Sequence, residues 1–155
     1  MYPQAYIEYL AHFHGTRDYF ECHEVLEDYW KATEPRQRDS VWVLLIQIAV
    51  SMYHYRRGNN KGAAILMKRS IDRLSSQTEV TLNLGIDPDA LTQQLNEEYT
   101  RIQSDAPYQS LMLPIKDPEL LNLVLQQCEM WKVDYASKSD LTDIYLIEKH
   151  KRRNR

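Results

Sequence analysis

Val41-Trp42-Val43-Leu44-Leu45-Ile46-Gln47-Ile48-Ala49-Val50-Ser51-Met52-Tyr53-His54-Tyr55 is the stretch whose reading decides the fold. Val41 to Val50 alone would suit a buried strand, but apolar positions continue past Met52 to Tyr55, longer than a strand usually runs. Asp39 or Ser40 offers a cap ahead of the stretch, and Gly58-Asn59-Asn60 a stop behind it. The spacing predicts a helix from Val41 to about Arg57, apolar nearly all round and therefore the central buried helix.

Working outward toward the N-terminus, Glu34-Pro35 breaks a preceding helix that reaches about Thr33 and is capped by Thr16 or Asp18. Before it, Pro3 opens a first helix through Tyr6, Ile7, Leu10, Ala11 and His14, stopped by Gly15. Toward the C-terminus, a fourth helix starts near Lys61. Gly62-Ala63-Ala64 permits close approach there, Leu66, Met67, Ser70, Ile71 and Leu74 form its inner face, and it ends at Ser75-Ser76-Gln77.

After an irregular piece, Asp87 caps a fifth helix with Pro88 in its first turn and Leu91, Leu95, Tyr99 and Ile102 on one face. Ala106 to Ile115, carrying Pro107 and Pro114, should run extended over the surface. Asp117-Pro118 begins a sixth helix through Leu121, Val124, Leu125, Cys128 and Trp131, and Ser139 or Asp140 opens a last one through Ile144 and Ile147. The fold class is all-α: a multihelical bundle of about five to seven helices, one domain over residues 1–155, with a basic flexible tail at 149–155.

Composition agrees with that class. The chain has 155 residues, is 43% hydrophobic, and sets 4 Gly against 11 Tyr and 3 Trp, which suits long elements around one core. Cys22 and Cys128 make no metal or disulfide framework and are expected as free thiols. No basic region precedes an apolar run at the N-terminus, and the longest apolar run is too short to span a bilayer. The expected localisation is therefore cytoplasmic, without membrane association.

Net charge is −3, yet Lys149, Lys151, Arg152, Arg153 and Arg155 carry five positive charges, so the remainder stands at −8. An acidic body whose basic end lacks interleaved aromatic residues offers no phosphate groove, which argues against nucleic acid as a partner.

The chemically unusual place is the second helix, Tyr19-Phe20-Glu21-Cys22-His23-Glu24-Val25-Leu26-Glu27 with Trp30. With His23 set at zero on a helical wheel, Glu27 falls at about 40°, inside an arc that also holds Tyr19, Phe20, Leu26 and Trp30, while Glu24 lies at about 100°, on the rim. A carboxylate in an apolar stripe needs a partner, a metal or a proton. The third helix carries one polar line, Gln47, Ser51 and His54. If the two helices are antiparallel, residues whose numbers sum to about 74 lie level. The expectation is one polar cluster of His23, Glu27, Gln47 and His54, with Glu24 and Ser51 at its edge.

These residues, together with Phe13-His14-Gly15 ahead of them and Leu45-Ile46-Gln47-Ile48-Ala49, His54, Gly58-Asn59 and Gly62-Ala63 after, resemble the domain of unknown function 309 family over residues 13 to about 74. Leu44 departs from the glycine of the family pattern. The resemblance implies a small all-helical bundle of bacteria and archaea and no established activity.

Three functional classes meet at the cluster. In the first it is a structural network fixing helix register, and no cofactor is expected. In the second, His23, Glu27 and His54 hold a divalent metal ion for a hydrolase-like reaction, a partial echo of the His-Glu-x-x-His helix with its second histidine replaced. In the third, function lies on a Tyr-rich surface, including Tyr2, Tyr6, Tyr9, Tyr53 and Tyr55, that docks another protein or a second copy of the chain.

Overall fold

The computed structural model describes residues 1–153, and among these it forms nine helices and no named strand. They are α1 (Gln4–Ala11), α2 (Tyr19–Thr33), α3 (Val41–Arg56), α4 (Asn60–Leu74), α5 (Thr78–Asn83), α6 (Pro88–Gln103), α7 (Pro118–Met130), α8 (Ile144–Ile147) and α9 (Lys149–Arg153). A π-helical turn, His12–Thr16, joins α1 to the approach of α2. The predicted all-α bundle is what forms.

α3 is central because it is apolar on more than one face. It packs against α2 on one side and α4 on the other, while α1 lies on α2 and α7, and α4 on α6. Leu44, Leu45, Ile48, Ala49 and Met52 are closed off from solvent, each larger side chain contributing roughly 1.5–3 kcal/mol by burial. Side-chain caps start the helices: Asp18 accepts from the Glu21 amide, Ser40 from Trp42, Asn59 from Gly62, Asp87 from Asp89 and Ala90, and Asp117 from Glu119. Each satisfies amide donors that the first turn leaves without helical partners.

The structure departs from the sequence expectation in four places. Gly15 does not stop the first helix; the chain widens into the π-helical turn, and Arg17, at φ +59°, reverses it. Gly15 serves close approach instead, since a Cβ there would stand 3.1 Å from both Cys128 Sγ and Val133 Cγ2. The irregular piece contains α5. The 106–115 stretch is non-helical as expected, but it is laid into the core rather than over it: Leu111 and Leu113 are buried, and Ile115 bridges to Ile86. The last helix opens later, at Asp143, whose carboxylate accepts from the Leu146 amide.

Both cysteines are free and buried. No helix among the described residues is long and apolar enough to cross a membrane.

Gly85 anchors the extended segment: its carbonyl accepts from the Lys116 and Asp117 amides, at φ +79°. An added Cβ would meet the Tyr2 hydroxyl at 2.8 Å and Leu120 Cδ2 at 2.9 Å. Gly85→Ala should therefore cost about 2–3 kcal/mol, from left-handed strain plus overpacking. Urea unfolding of the variant beside wild type checks this; a change under ~0.5 kcal/mol would contradict it.

Candidate functional site: the α2–α3 face and its C-terminal cover

α2 and α3 run antiparallel in nearly the expected register. The Phe20 and Tyr53 rings lie 5.9 Å apart and those of Tyr29 and Trp42 5.3 Å apart. The polar side chains, however, are divided among several neighbours. His23 Nε2 pairs with Glu27 one turn along α2, and its Nδ1 lies 3.6 Å from Glu24 Oε1. The second Glu27 oxygen takes Lys31 Nζ at 2.7 Å. The hydrogen bond from Lys31, and then the charge of His23, hold the Glu27 carboxyl below its ordinary value against the opposing effect of burial.

The polar line of α3 faces α4 and the α3–α4 turn. Gln47 Oε1 accepts from Arg73 Nε at 3.1 Å, and Ser51 Oγ donates to the Ala63 carbonyl at 2.8 Å. His54 Nδ1 lies 3.3 Å from Arg57 Nε and 3.4 Å from Asn59 Nδ2. Glu27 and Gln47 thus go to different partners, and the expected four-residue cluster does not close. The reason is general: a helix apolar all round gives no sign of which neighbour a short polar line will face. His23 and Glu27 are also less enclosed than the wheel implies, with side chains 26% and 29% exposed, against 34% for Glu24.

His23 and His54 do meet at one small cavity of about 130 Å³ walled by Phe20, Val50 and Tyr53. A third histidine, His150 from α9, completes its lining. Its Nδ1 hydrogen-bonds the Tyr53 hydroxyl, which also accepts from the His150 amide at 3.0 Å. Burial, and then the Arg57 guanidinium, push the His54 and His150 imidazoles below their ordinary value. No group of three His, Cys, Asp or Glu side chains among the described residues is arranged to hold a metal ion.

α9 reaches this place through Lys149, which is buried and sets Nζ 2.6 Å from Asp18 Oδ2 and 3.1 Å from Glu21 Oε2. Lys149 and His150 therefore belong to the packed body, whereas Asn154 and Arg155 of the predicted basic tail lie outside the described residues. Sequence reasoning missed these contacts. The available signal was an acidic pair in the first turn of α2 beside a basic chain end.

A second polar system, also missed, surrounds the π-helical turn. His14 is fully buried: Nδ1 donates to the Leu10 carbonyl at 3.0 Å and Nε2 accepts from the Leu113 amide at 2.9 Å. Arg17, 2% exposed, donates to the carbonyls of Phe13, Leu111 and Ser137 and to Met112 Sδ. Together they fasten the turn to two segments nearly a hundred or more residues away.

Residues 6–66 match the family described as "Domain of unknown function (DUF309)". Across the whole chain, the sequence is 44% identical to "Uncharacterized protein YpuF" of Bacillus subtilis (strain 168), covering 100% of this chain and 89% of that relative. The chain belongs to the domain of unknown function 309 family. The DUF309 match contains His14, Arg17, His23, Glu27, Gln47 and His54, whereas Lys149 and His150 lie beyond it. No solved structure matches this DUF309 chain significantly.

Proposed function

We propose that this protein is a helical interaction scaffold whose α2–α3 polar groups stabilise helix packing rather than perform chemistry. The observation that carries this reading is the dispersal of those groups: Glu27 goes to His23 and Lys31, Gln47 to Arg73, Ser51 to Ala63 and His54 to Arg57 and Asn59. Polar side chains spent on in-chain partners leave function to the surface. The expected Tyr-rich surface is mostly core, since Tyr6, Tyr9, Tyr53 and Tyr55 are buried; Leu141 and Ile144, ahead of α9 in the chain, are 58% and 68% exposed, apolar surface that a docked protein or second copy would cover.

Two measurements test it. Glu27→Gln should lower stability by only about 0.2–1 kcal/mol, because the His23–Glu27–Lys31 chain is partly solvated, and thermal melts of wild type should not change with chelator. A chelator-sensitive melt lost in Glu27→Gln would support the metal-dependent hydrolase alternative on His23, Glu27 and His54. Sedimentation and cross-linking then test docking. Wild type should associate, with itself or with a partner, and Leu141→Asp/Ile144→Asp should not. A strict monomer that captures nothing contradicts the scaffold reading.

A further inference from the structure

A cavity of about 380 Å³ opens beside the buried arginine system, lined by Tyr108, Gln109, Ser110, Lys138, Ser139 and Leu141. Its inner wall is a connected set of hydroxyls. The Tyr108 hydroxyl is hydrogen-bonded to those of Tyr19, at 2.5 Å, Ser139, at 2.8 Å, and Ser110, at 3.5 Å. Two further donors feed this set: Arg56 Nη1 into Ser139 Oγ at 3.3 Å, and the Ser139 amide into Ser110 Oγ at 3.1 Å.

The wall holds one hydroxyl proton more than its internal links use. Tyr19, Tyr108, Ser110 and Ser139 carry one hydroxyl proton each, and the links among them can use only three. Tyr19 is fully buried, so its proton goes to Tyr108. Tyr108 then donates to one serine, whose own proton is left without an acceptor in the set and is free to face the cavity. The wall thus has one serine O–H to offer a bound acceptor, beside its hydroxyl lone pairs.

Positive charge stands behind and beside it. Arg56 is 7% exposed, lies with Cζ 4.5 Å from the Tyr19 ring centroid, and spends Nη1 on Ser139 and on the Arg17 carbonyl. Its Nε and Nη2 have no hydrogen-bond partner among the described residues. Lys138, an exposed cation, is among the lining residues. The neighbouring carboxylate, Asp140, accepts from the Thr142 amide and hydroxyl through Oδ1 and keeps its charge. A recess with a free serine O–H, backed by the Arg56 guanidinium and lined in part by Lys138, favours an acceptor that bears negative charge.

We propose that this cavity binds the oxyanion group of a small organic molecule, a phosphomonoester or a carboxylate, through Ser139, Ser110 and Lys138, with Leu141 and the Tyr108 ring covering its apolar part. Arg56 acts through Ser139, fixing the hydroxyl and adding charge.

The test is a titration of isotopically labelled full chain, read from amide shifts, with phenyl phosphate, benzoate, inorganic phosphate and, as the neutral comparator, benzyl alcohol. Phenyl phosphate or benzoate should give saturable shifts at residues 110 and 138–141, with benzyl alcohol at least tenfold weaker. The tighter of the two anions assigns the group, and inorganic phosphate, lacking the ring, should bind more weakly than the better organic anion. Lys138→Ala, at an exposed position, and Ser139→Ala should each weaken that anion roughly tenfold, with the rest of the spectrum unmoved. Benzyl alcohol binding as tightly as the anions, shifts elsewhere on the chain, or no saturable shift up to ~10 mM would each overturn the proposal.

Discussion

Arg17→Met should lower stability by about 3–5 kcal/mol, the largest loss of any single polar substitution in this chain, and bring the melting temperature down by on the order of 10 °C. Methionine fills much of the same volume and keeps the apolar stem, so the loss reports the guanidinium. That group reaches the Phe13, Leu111 and Ser137 carbonyls from one buried position, at 2.7 to 2.9 Å. Removing it strips donors from buried acceptors on three separate segments. Helix content should be largely retained, because α2, α3 and α4 pack without Arg17. Amide exchange should accelerate in 106–117 and 131–139, the segments it fastens. A variant as stable as wild type, or one in which α3 exchanges first, would contradict this role.

Acid should unfold the protein through His14. Burial first, and then the Arg17 charge, bring its imidazole down to about 3 from the ordinary 6.5, although its bond to the Leu10 carbonyl acts the other way. The geometry gives the same sign independently. Nε2 accepts from the Leu113 amide, so protonating it would destroy that bond and bury a charge. Above about pH 6.5 neither state carries the proton and His14 contributes nothing to the pH dependence. Between there and about 3 only the unfolded chain takes it up, and stability falls by about 1.4 kcal/mol per pH unit.

His12, His54 and His150 are also lowered, and Glu27 loses its stabilisation as pH falls, so they steepen the same limb. Urea unfolding at several values between pH 4.5 and 6.5 measures the slope. His14→Gln, whatever its absolute stability, should flatten it by close to one proton. An unchanged slope would show that His14 is not the group responsible.

Much of the fold was legible because capping and breaking residues act locally. Asp18, Ser40, Asp87 and Asp117 cap helices as their side chains dictate, and the length of the Val41–Tyr55 run decided helix over strand. What was hidden depends on contacts distant in sequence. Arg17 reads as an ordinary surface arginine until 111 and 137 are brought to it, and Lys149 as a solvated tail residue until it meets Asp18.

The candidate site was legible as a place more than as a constellation. His23 and His54 do share a cavity wall, and the antiparallel register was nearly right. Gln47 and Ser51 meet Arg73 and Ala63 of α4, a choice of neighbour that the wheel of a helix packed on both sides does not reveal.

The α2–α3 polar groups are proposed to serve packing rather than metal binding. Long-range 1H–15N correlation of the histidine rings, recorded on metal-free protein and again with one equivalent of Zn2+, tests this most directly. Expected are His14 as the neutral Nδ1–H tautomer and no joint shift of His23 and His54 on adding the ion. Stoichiometric Zn2+ moving His23 and His54 together, with the pattern of direct ligation, would contradict it.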